Sequence, residues 1–311
     1  MEREQSVWLR AMPGIFVIIW ATGYVVARYG MPHAPPLSFL SVRYALSIFC
    51  FLVWIALVKA AWPTDRKQCL HLAVTGLLMH AGYLGGVWMA VKAGIGAGLS
   101  ALIVNFQPVL TALWVAHVSR QQGLGAGVSR RQWAGLALGF IGLILVMSRK
   151  FGAGGEATAW NVFLCVIALL SMTTGALYQK RFVQPTDVRT ANTIQLGAAL
   201  LITLPFAFLE TEPIRWFTAS GAYNTPLLGA MAWSVLVLTL GGSSLLYLLI
   251  QRGAATRVTS LLYLVPPATA LMAWALFGEA ITALTLIGTA VTAAGVYLVI
   301  KPAATANSQE K

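Results

Sequence analysis

Apolar stretches of about twenty residues recur along nearly the whole chain, separated by short polar connections, and little else about the sequence constrains its fold so strongly. A hydrocarbon layer of about 30 Å takes roughly 20 residues of α-helix to cross. Charged residues make up only 10% of the 311 positions and hydrophobic ones 58%, with a mean hydropathy of +0.76. A soluble domain carries about a quarter charged residues, so this chain has too few for a wet surface. The bilayer is therefore its solvent, and backbone satisfaction there allows only helices or a closed barrel. No period-two alternation of polar and apolar residues runs through the chain, which excludes the barrel. The expected fold is an all-α integral membrane protein.

Ten spans are expected, at approximately 12–29, 37–59, 70–91, 97–118, 131–148, 158–179, 191–209, 227–250, 256–276 and 282–300. The breaks are marked by Pro35-Pro36, Trp62-Pro63-Thr64-Asp65, Gly94-Ile95-Gly96, Gly123 to Gly127, Gly152 to Gly155 and Asn224-Thr225-Pro226. The net charge of +12 would point to nucleic acid in a soluble protein. Here the basic residues sit mainly in connections, where they set topology, and no nucleic-acid partner is expected. With the N-terminus in the cytoplasm, that side receives Arg3, Arg10, Lys59, Arg66, Lys67, Arg120, Arg130, Arg131, Lys180, Arg181, Arg189, Arg252, Arg257, Lys301 and Lys311. The outer side receives only Arg28, Arg43, Lys92, Arg149, Lys150 and Arg215, with Glu156, Glu210, Glu212 and Glu279. The expectation is thus a multi-pass inner-membrane protein with both termini cytoplasmic and no cleaved signal. Cys50, Cys69 and Cys165 are expected to be small packing residues rather than disulfide partners.

The two halves, 1–150 and 151–311, align on each other. At one register Gly23 meets Gly175, Arg28 meets Lys180 and Arg43 meets Gln195. At a second, Gly82 meets Gly241, Gly94 meets Gly253, Ser100 meets Thr259, Leu102 meets Leu261 and Pro108 meets Pro267. At a third, Gly135 meets Gly288 and Gly142 meets Gly295. The register changes fall in connections, where insertions belong. Five spans per half is an odd number, so the second half enters the membrane the opposite way round. The expected architecture is ten transmembrane helices as two inverted five-helix repeats, with a site near the midplane between them.

Trp20-Ala21-Thr22-Gly23 in the first span, Arg43 in the second and Pro108 in the fourth resemble the EamA-type branch of the drug/metabolite transporter superfamily. So does the second-half run Pro267, Phe277-Gly278-Glu279, Gly288 and Gly295. The resemblance spans nearly the whole chain. It implies ten helices, alternating access and export of small organic metabolites without a cofactor, and among the branches we favour the YddG-type exporters of aromatic and other amphipathic amino acids. In the first half, Arg120 stands where the second half has Glu279, a departure from a role shared by both.

Polar residues inside a membrane are costly, which makes them informative. His80 lies mid-span with Tyr83 three residues on, along one helical face. It reads equally as a cavity residue or as a hydrogen-bonded core histidine. Ser100 and Gln107 share a stripe of the fourth span with Asn105 beside it, and Tyr263 lies on the equivalent stripe of the ninth. Trp20 and Tyr24 in the first span, Trp88 in the third, and Thr174 and Tyr178 in the sixth complete the candidate substrate-binding set. Pro108 and Pro267 each remove a helical donor and free a carbonyl, so they are either packing kinks or gating bends. Gly135, Gly139 and Gly142, with Gly288, Thr292 and Gly295, form small-residue stripes suited to close helix contact.

No Asp or Glu is expected near the midplane, and no Lys or Arg either. That disfavours both proton-coupled export of cationic drugs and exchange of sugar phosphates. An uncharged polar chamber with aromatics suits a zwitterion or neutral amphipath. The expected function is export of small amphipathic metabolites, amino acids above all, by facilitated diffusion. Only His80, with an unperturbed pKa of about 6.5, is placed to couple protons. The alternatives are proton-coupled drug or metabolite efflux and a pore or scramblase. An enzyme is not expected, since no HExxH, Gly-x-Ser-x-Gly or Walker loop occurs. No metal is expected, and the assembly is expected to be a monomer or weak homodimer.

Overall fold

The protein's architecture is given by a computed structural model describing residues 2–121, 130–148, 157–251 and 265–300. Among the described residues ten helical segments follow one another. They are α1 (Glu2–Gly30), α2 (Pro36–Val58), α3 (Arg66–Lys92), α4 (Ala97–Val104 continued by Gln107–Gln121) and α5 (Arg130–Ser148). The second half supplies α6 (Ala159–Phe182), α7 (Val188–Ala207), α8 (Thr225–Trp233, Ser234–Ser243 and Ser244–Gln251 end to end), α9 (Val265–Phe277) and α10 (Ala283–Ile300). A helix thus occurs at each of the ten expected positions, with α9 described only from Val265. Five segments (α2, α3, α6, α7 and α8) are long and apolar enough to cross a membrane by length and composition, and the rest carry shorter apolar stretches.

The helices begin where the sequence supplies a cap. Pro36 opens α2 at its first turn, where a missing N–H costs nothing. Asp65, Asp187 and Asn224 each accept a backbone N–H at the start of α3, α7 and α8. Thr158 and Asn161 form a reciprocal capping box on α6. The starts of α2 and α4 are capped from the other half of the chain. Leu37 and Ser38 donate their N–H groups to the Glu210 carboxylate, at 3.0 and 2.7 Å. Ala97 donates to Glu279 Oε1 at 3.1 Å.

Leu57, Leu201 and Phe208 are each at least 75% exposed, on faces that only a hydrocarbon surround would tolerate. The opposite faces pack in pairs. α2 lies on α7, α4 on α9 and α5 on α10; α3 packs on α6 and α7, while α1 and α2 pack on α8. α1 also meets α9, and α4 meets α6. Exchanging α1–α5 for α6–α10 leaves this scheme of contacts unchanged.

The closest crossings use glycine. A Cβ on Gly142 of α5 would sit 2.5 Å from the Thr292 nitrogen and 2.6 Å from the Gly288 oxygen of α10. A Cβ on Gly76 of α3 would collide with the backbone of Gln195 in α7. α3 and α8 each contain a π-helical stretch, Leu77–Gly82 and Ser234–Ser243. The two stretches fall opposite each other at the register that pairs Gly82 with Gly241. Wider π turns aim side chains and carbonyls differently from α turns, and they often mark functional positions.

Gly142→Val is expected to destabilise the protein by about 1–3 kcal/mol, because backbone on both sides blocks relaxation. Gly197→Ala, where an added Cβ meets nothing within 4 Å, is expected to be neutral or stabilising by about 0.5–1 kcal/mol. Thermal unfolding of the two purified variants in one detergent checks both, and equal melting shifts would contradict the packing at α5–α10.

Candidate functional site

A cavity of about 660 Å³, including the part open to solvent, lies among α1, α2, α3, α6, α7 and α8. Trp20, Gly23 and Tyr24 come from α1, Arg43 from α2, and Met79, His80, Tyr83, Leu84, Val87 and Trp88 from α3. The other half contributes Gln179, Asn192 and Gln195, with Leu238, Ser243, Leu246 and Tyr247 of α8. No Asp or Glu lines it among the described residues.

The aromatic wall is pre-stacked. Trp20 lies parallel to Tyr83, with ring centroids 6.1 Å apart and planes within 5°. Tyr83 Oη and Asn105 Nδ2 lie 3.5 and 3.4 Å from the Tyr24 hydroxyl. Trp88 stacks on Phe39 at 4.5 Å. These contacts hold large flat faces against the cavity without needing the substrate to order them.

The polar wall is organised by the two π stretches. Tyr44 donates to the His80 carbonyl at 2.8 Å, occupying an acceptor in the π stretch of α3. Thr239 donates to the Ser234 carbonyl, five residues back, at 2.8 Å. The same Thr239 oxygen accepts from Arg43 Nε at 3.0 Å. Arg43 is 3% exposed and its guanidinium carbon lies 5.9 Å from the Trp88 ring centroid, within cation–π range. Across the cavity, the Gln195 side chain is the polar neighbour of His80. At the repeat registers, Arg43 corresponds to Gln195 and His80 to Thr239. The Arg43–Thr239 pair and the Gln195–His80 pair therefore occupy equivalent places, each spanning the two halves.

Arg43 corrects an expectation. Counted among the outer-side residues, it supported the idea of a chamber with no fixed ionic side chain. It instead stands two turns inside α2, buried and facing the cavity. A guanidinium is tolerated there because Thr239 accepts one of its donors and Trp88 offers a π face.

Of the residues singled out from sequence, Trp20, Tyr24, His80, Tyr83 and Trp88 come together at the cavity. Asn105 stands behind Tyr24 and spends its amide on the Ala101 carbonyl at 2.7 Å. Ser100 is fully buried and donates to the Ala97 carbonyl. Gln107 is buried but does not line the cavity. Thr174 is exposed and returns its hydroxyl to Leu170 and Ser171. Tyr178 meets His71 Nδ1 at 2.8 Å and packs on Phe182, outside the cavity lining. Hydroxyls on helices commonly satisfy themselves on the preceding turn, which is why the Ser100 and Thr174 stripes turn away from a site. Tyr263 lies outside the described residues. α4 is interrupted at Asn105-Phe106, just before Pro108, so the bend expected from the missing donor is present in the backbone. Pro267 is exposed in the first described turn of α9, away from the cavity. Gln179, Asn192 and Gln195 were missed, although each is a polar residue within an otherwise apolar span and Gln195 was already aligned with Arg43.

At the end of the bundle where α1 and α3 finish, acids of the second half hold the first. Glu279 pairs with Arg28 at 3.3 Å, and Glu212 with Lys92 at 2.7 Å. The Lys92 ammonium holds the Glu212 carboxyl below its ordinary range.

A ten-helix bundle with a lined central cavity and apolar flanks belongs to the class of polytopic membrane transporters. The EamA-like transporter family model matches the chain twice, over residues 14–148 and 159–301, and the protein belongs to that family. It is 26% identical to a "Probable amino-acid metabolite efflux pump" of Salmonella typhimurium, over 91% of this chain and 92% of that protein. It is 24% identical to the "Uncharacterized inner membrane transporter YedA" of Escherichia coli, over 91% of this chain and 87% of that one. It is 26% identical to the "Uncharacterized transporter YvbV" of Bacillus subtilis, over 80% and 77%. A solved crystal structure shares the fold with a TM-score of 0.63 at 15% identity, covering 92% of this chain and 94% of its own.

Tyr83→Ala and Trp20→Ala are expected to cut transport by roughly tenfold or more while leaving membrane insertion intact, each removing part of a stack worth about 0.5–1.5 kcal/mol beyond its buried area. Ser100→Ala and Thr174→Ala are expected to retain near-normal flux. Uptake into proteoliposomes carrying matched amounts of each variant separates the groups, and loss at Ser100 or Thr174 alone would misplace the site.

Proposed function

We propose that the protein exports small amphipathic metabolites, chiefly aromatic or other hydrophobic amino acids, across the inner membrane by alternating access. The observation that carries this is the composition of the cavity: parallel aromatic faces, neutral amides and one guanidinium, with no carboxylate among its described lining residues. Such a lining suits a flat apolar body bearing a polar head, and its one guanidinium can meet the carboxylate of a zwitterion. It disfavours permanently cationic drugs, which have no acid to meet and a fixed positive charge to face. The name carried by the Salmonella relative, an amino-acid metabolite efflux pump, supports the same class and direction.

The two halves act, in this proposal, as inverted repeats with both termini cytoplasmic. Support comes from the double family match, the exchangeable contact scheme and the equivalent π stretches. One bundle packing in two opposed orientations supplies two similar end states, one open to each side. Transport then needs only the substrate gradient. Among the described lining residues no carboxylate is available to carry a proton, and the His80 ring borders the neutral Gln195 side chain.

The test is counterflow and net flux of radiolabelled phenylalanine in proteoliposomes of the purified protein. Saturable, stereoselective flux that an imposed proton gradient leaves unchanged is expected. Accumulation against the phenylalanine gradient, driven by that proton gradient, would refute uniport, and ohmic, non-saturable flux would show a pore instead of a carrier.

A further inference from the structure

The cavity wall contains three amide or guanidine side chains whose donors the protein does not use up. Arg43 gives Nε to Thr239, and its two terminal amino groups have no acceptor among the described residues. Gln195, whose side chain borders His80, is 3% exposed and its Nε2 has no hydrogen-bond partner among the described residues; the same holds for Nε2 of Gln179, also 3% exposed. All three line the one cavity. Buried polar groups are almost always paired, and leaving a donor unmet costs about 1–3 kcal/mol. Two orphan amide donors and a guanidinium with one donor engaged, all on the wall of the same cavity, are therefore donors that an acceptor there could satisfy. Nothing on the cavity wall provides the anionic half of such a pair, since no Asp or Glu lines it among the described residues.

We infer that this cavity holds a carboxylate site, with Arg43 as the charge anchor and the amides of Gln195 and Gln179 as further donors on its wall. The inference rests on the transport reading above and narrows its substrate class. Recognition is by the acid group, and the amino group is dispensable. One guanidinium matches a monoanion, and its planar fork fits the two oxygens of a carboxylate. No second Lys or Arg joins it among the described lining residues, so a phosphate dianion would remain half neutralised. For an amino group no acid partner stands among the described lining residues, only neutral amide and hydroxyl oxygens and the aromatic faces of Trp20, Tyr24 and Tyr83, which tolerate a cation weakly and an uncharged substituent as well. The site should then accept aromatic 2-oxo and 2-hydroxy acids alongside amino acids, and reject the corresponding amines and amides.

Four probes of one shape decide it: phenylalanine, phenylpyruvate, phenylalaninamide and phenethylamine, titrated calorimetrically into the purified full-length protein in detergent. Phenylalanine and phenylpyruvate are expected to bind within about tenfold of each other and to compete. The two probes lacking the carboxylate are expected to bind roughly 10- to 100-fold more weakly, the size of a lost charge-assisted hydrogen bond. Gln195→Leu should narrow that preference several-fold. Arg43→Gln should abolish it; if that variant fails to fold, the four-probe comparison on the unaltered protein still decides. Equal binding of phenylalanine and phenethylamine overturns the carboxylate site and leaves amino-acid transport standing. Binding of phenylpyruvate without phenylalanine upholds the site and overturns the amino-acid reading. Binding of none of the four by the folded protein overturns both.

Discussion

Burying the Arg43 guanidinium between the two halves is the constraint around which the rest of the site is arranged. Removing such a charge from water costs several kcal/mol unless hydrogen bonds and polarisable neighbours replace the lost hydration. The replacement comes from the far half of the chain, through Thr239 of α8, and from the Trp88 face of α3. Thr239 can serve because the π stretch of α8 lets its hydroxyl hydrogen bond five residues back to Ser234 while its oxygen stays available to accept. Trp88 is held by Phe39 from behind. Helix geometry in one half thus supports a charge belonging to the other, and a movement of one half against the other changes the environment of that charge.

Duplication explains where these groups stand, and divergence explains what they do. At the sequence registers that align the two halves, Arg43 corresponds to Gln195 and His80 to Thr239, yet each pair differs in chemistry. Identical halves would give a cavity with equal ends, unable to tell the head of a substrate from its tail. Replacing one member of each pair leaves the geometry in place and polarises the space. The cation and the tyrosine–tryptophan wall come from the first half, while the orphan amides come from the second. The glycine contact of Gly76 against the Gln195 backbone has the complementary role of drawing α7 close enough for that amide to border His80.

The fold was legible because bilayer thermodynamics writes itself into composition: the ten helices and the breaks at Pro35-Pro36, Trp62 to Asp65, Gly94 to Gly96 and Asn224 to Pro226 follow from apolar run length, prolines and glycines. The breaks expected at Gly123 to Gly127 and Gly152 to Gly155 lie outside the described residues. The aromatic part of the cavity was legible too, since Trp20 and Tyr24, and His80 and Tyr83, lie at helical spacings on single faces. Arg43 was misjudged because counting charges to orient the chain treats any arginine near a span end as solvated. Its place two turns into α2 depends on an acceptor 196 positions away, which no local pattern contains. Ser100 and Thr174 failed for the opposite reason. Their hydroxyls can be satisfied by the preceding turn, so polarity within an apolar helix does not by itself point inward. Glutamines cannot bond their own helix so readily, and the unmet amides of Gln179 and Gln195 are the better guide to a cavity.

The acids complete the electrostatic division of the molecule. Glu210, Glu212 and Glu279 all belong to the second half, and each is bound to the first: to the start of α2, to Lys92, and jointly to Arg28 and the start of α4. Helix N-termini and terminal cations attract carboxylates, so these three are drawn to one end of the bundle and away from its centre. The same contacts tie the halves together there. These three carboxylates thus sit at a seam between the halves, and the described lining of the chamber carries a single fixed charge, of positive sign. Among the described lining residues no anion competes for Arg43 with the carboxylate that the proposal above places there.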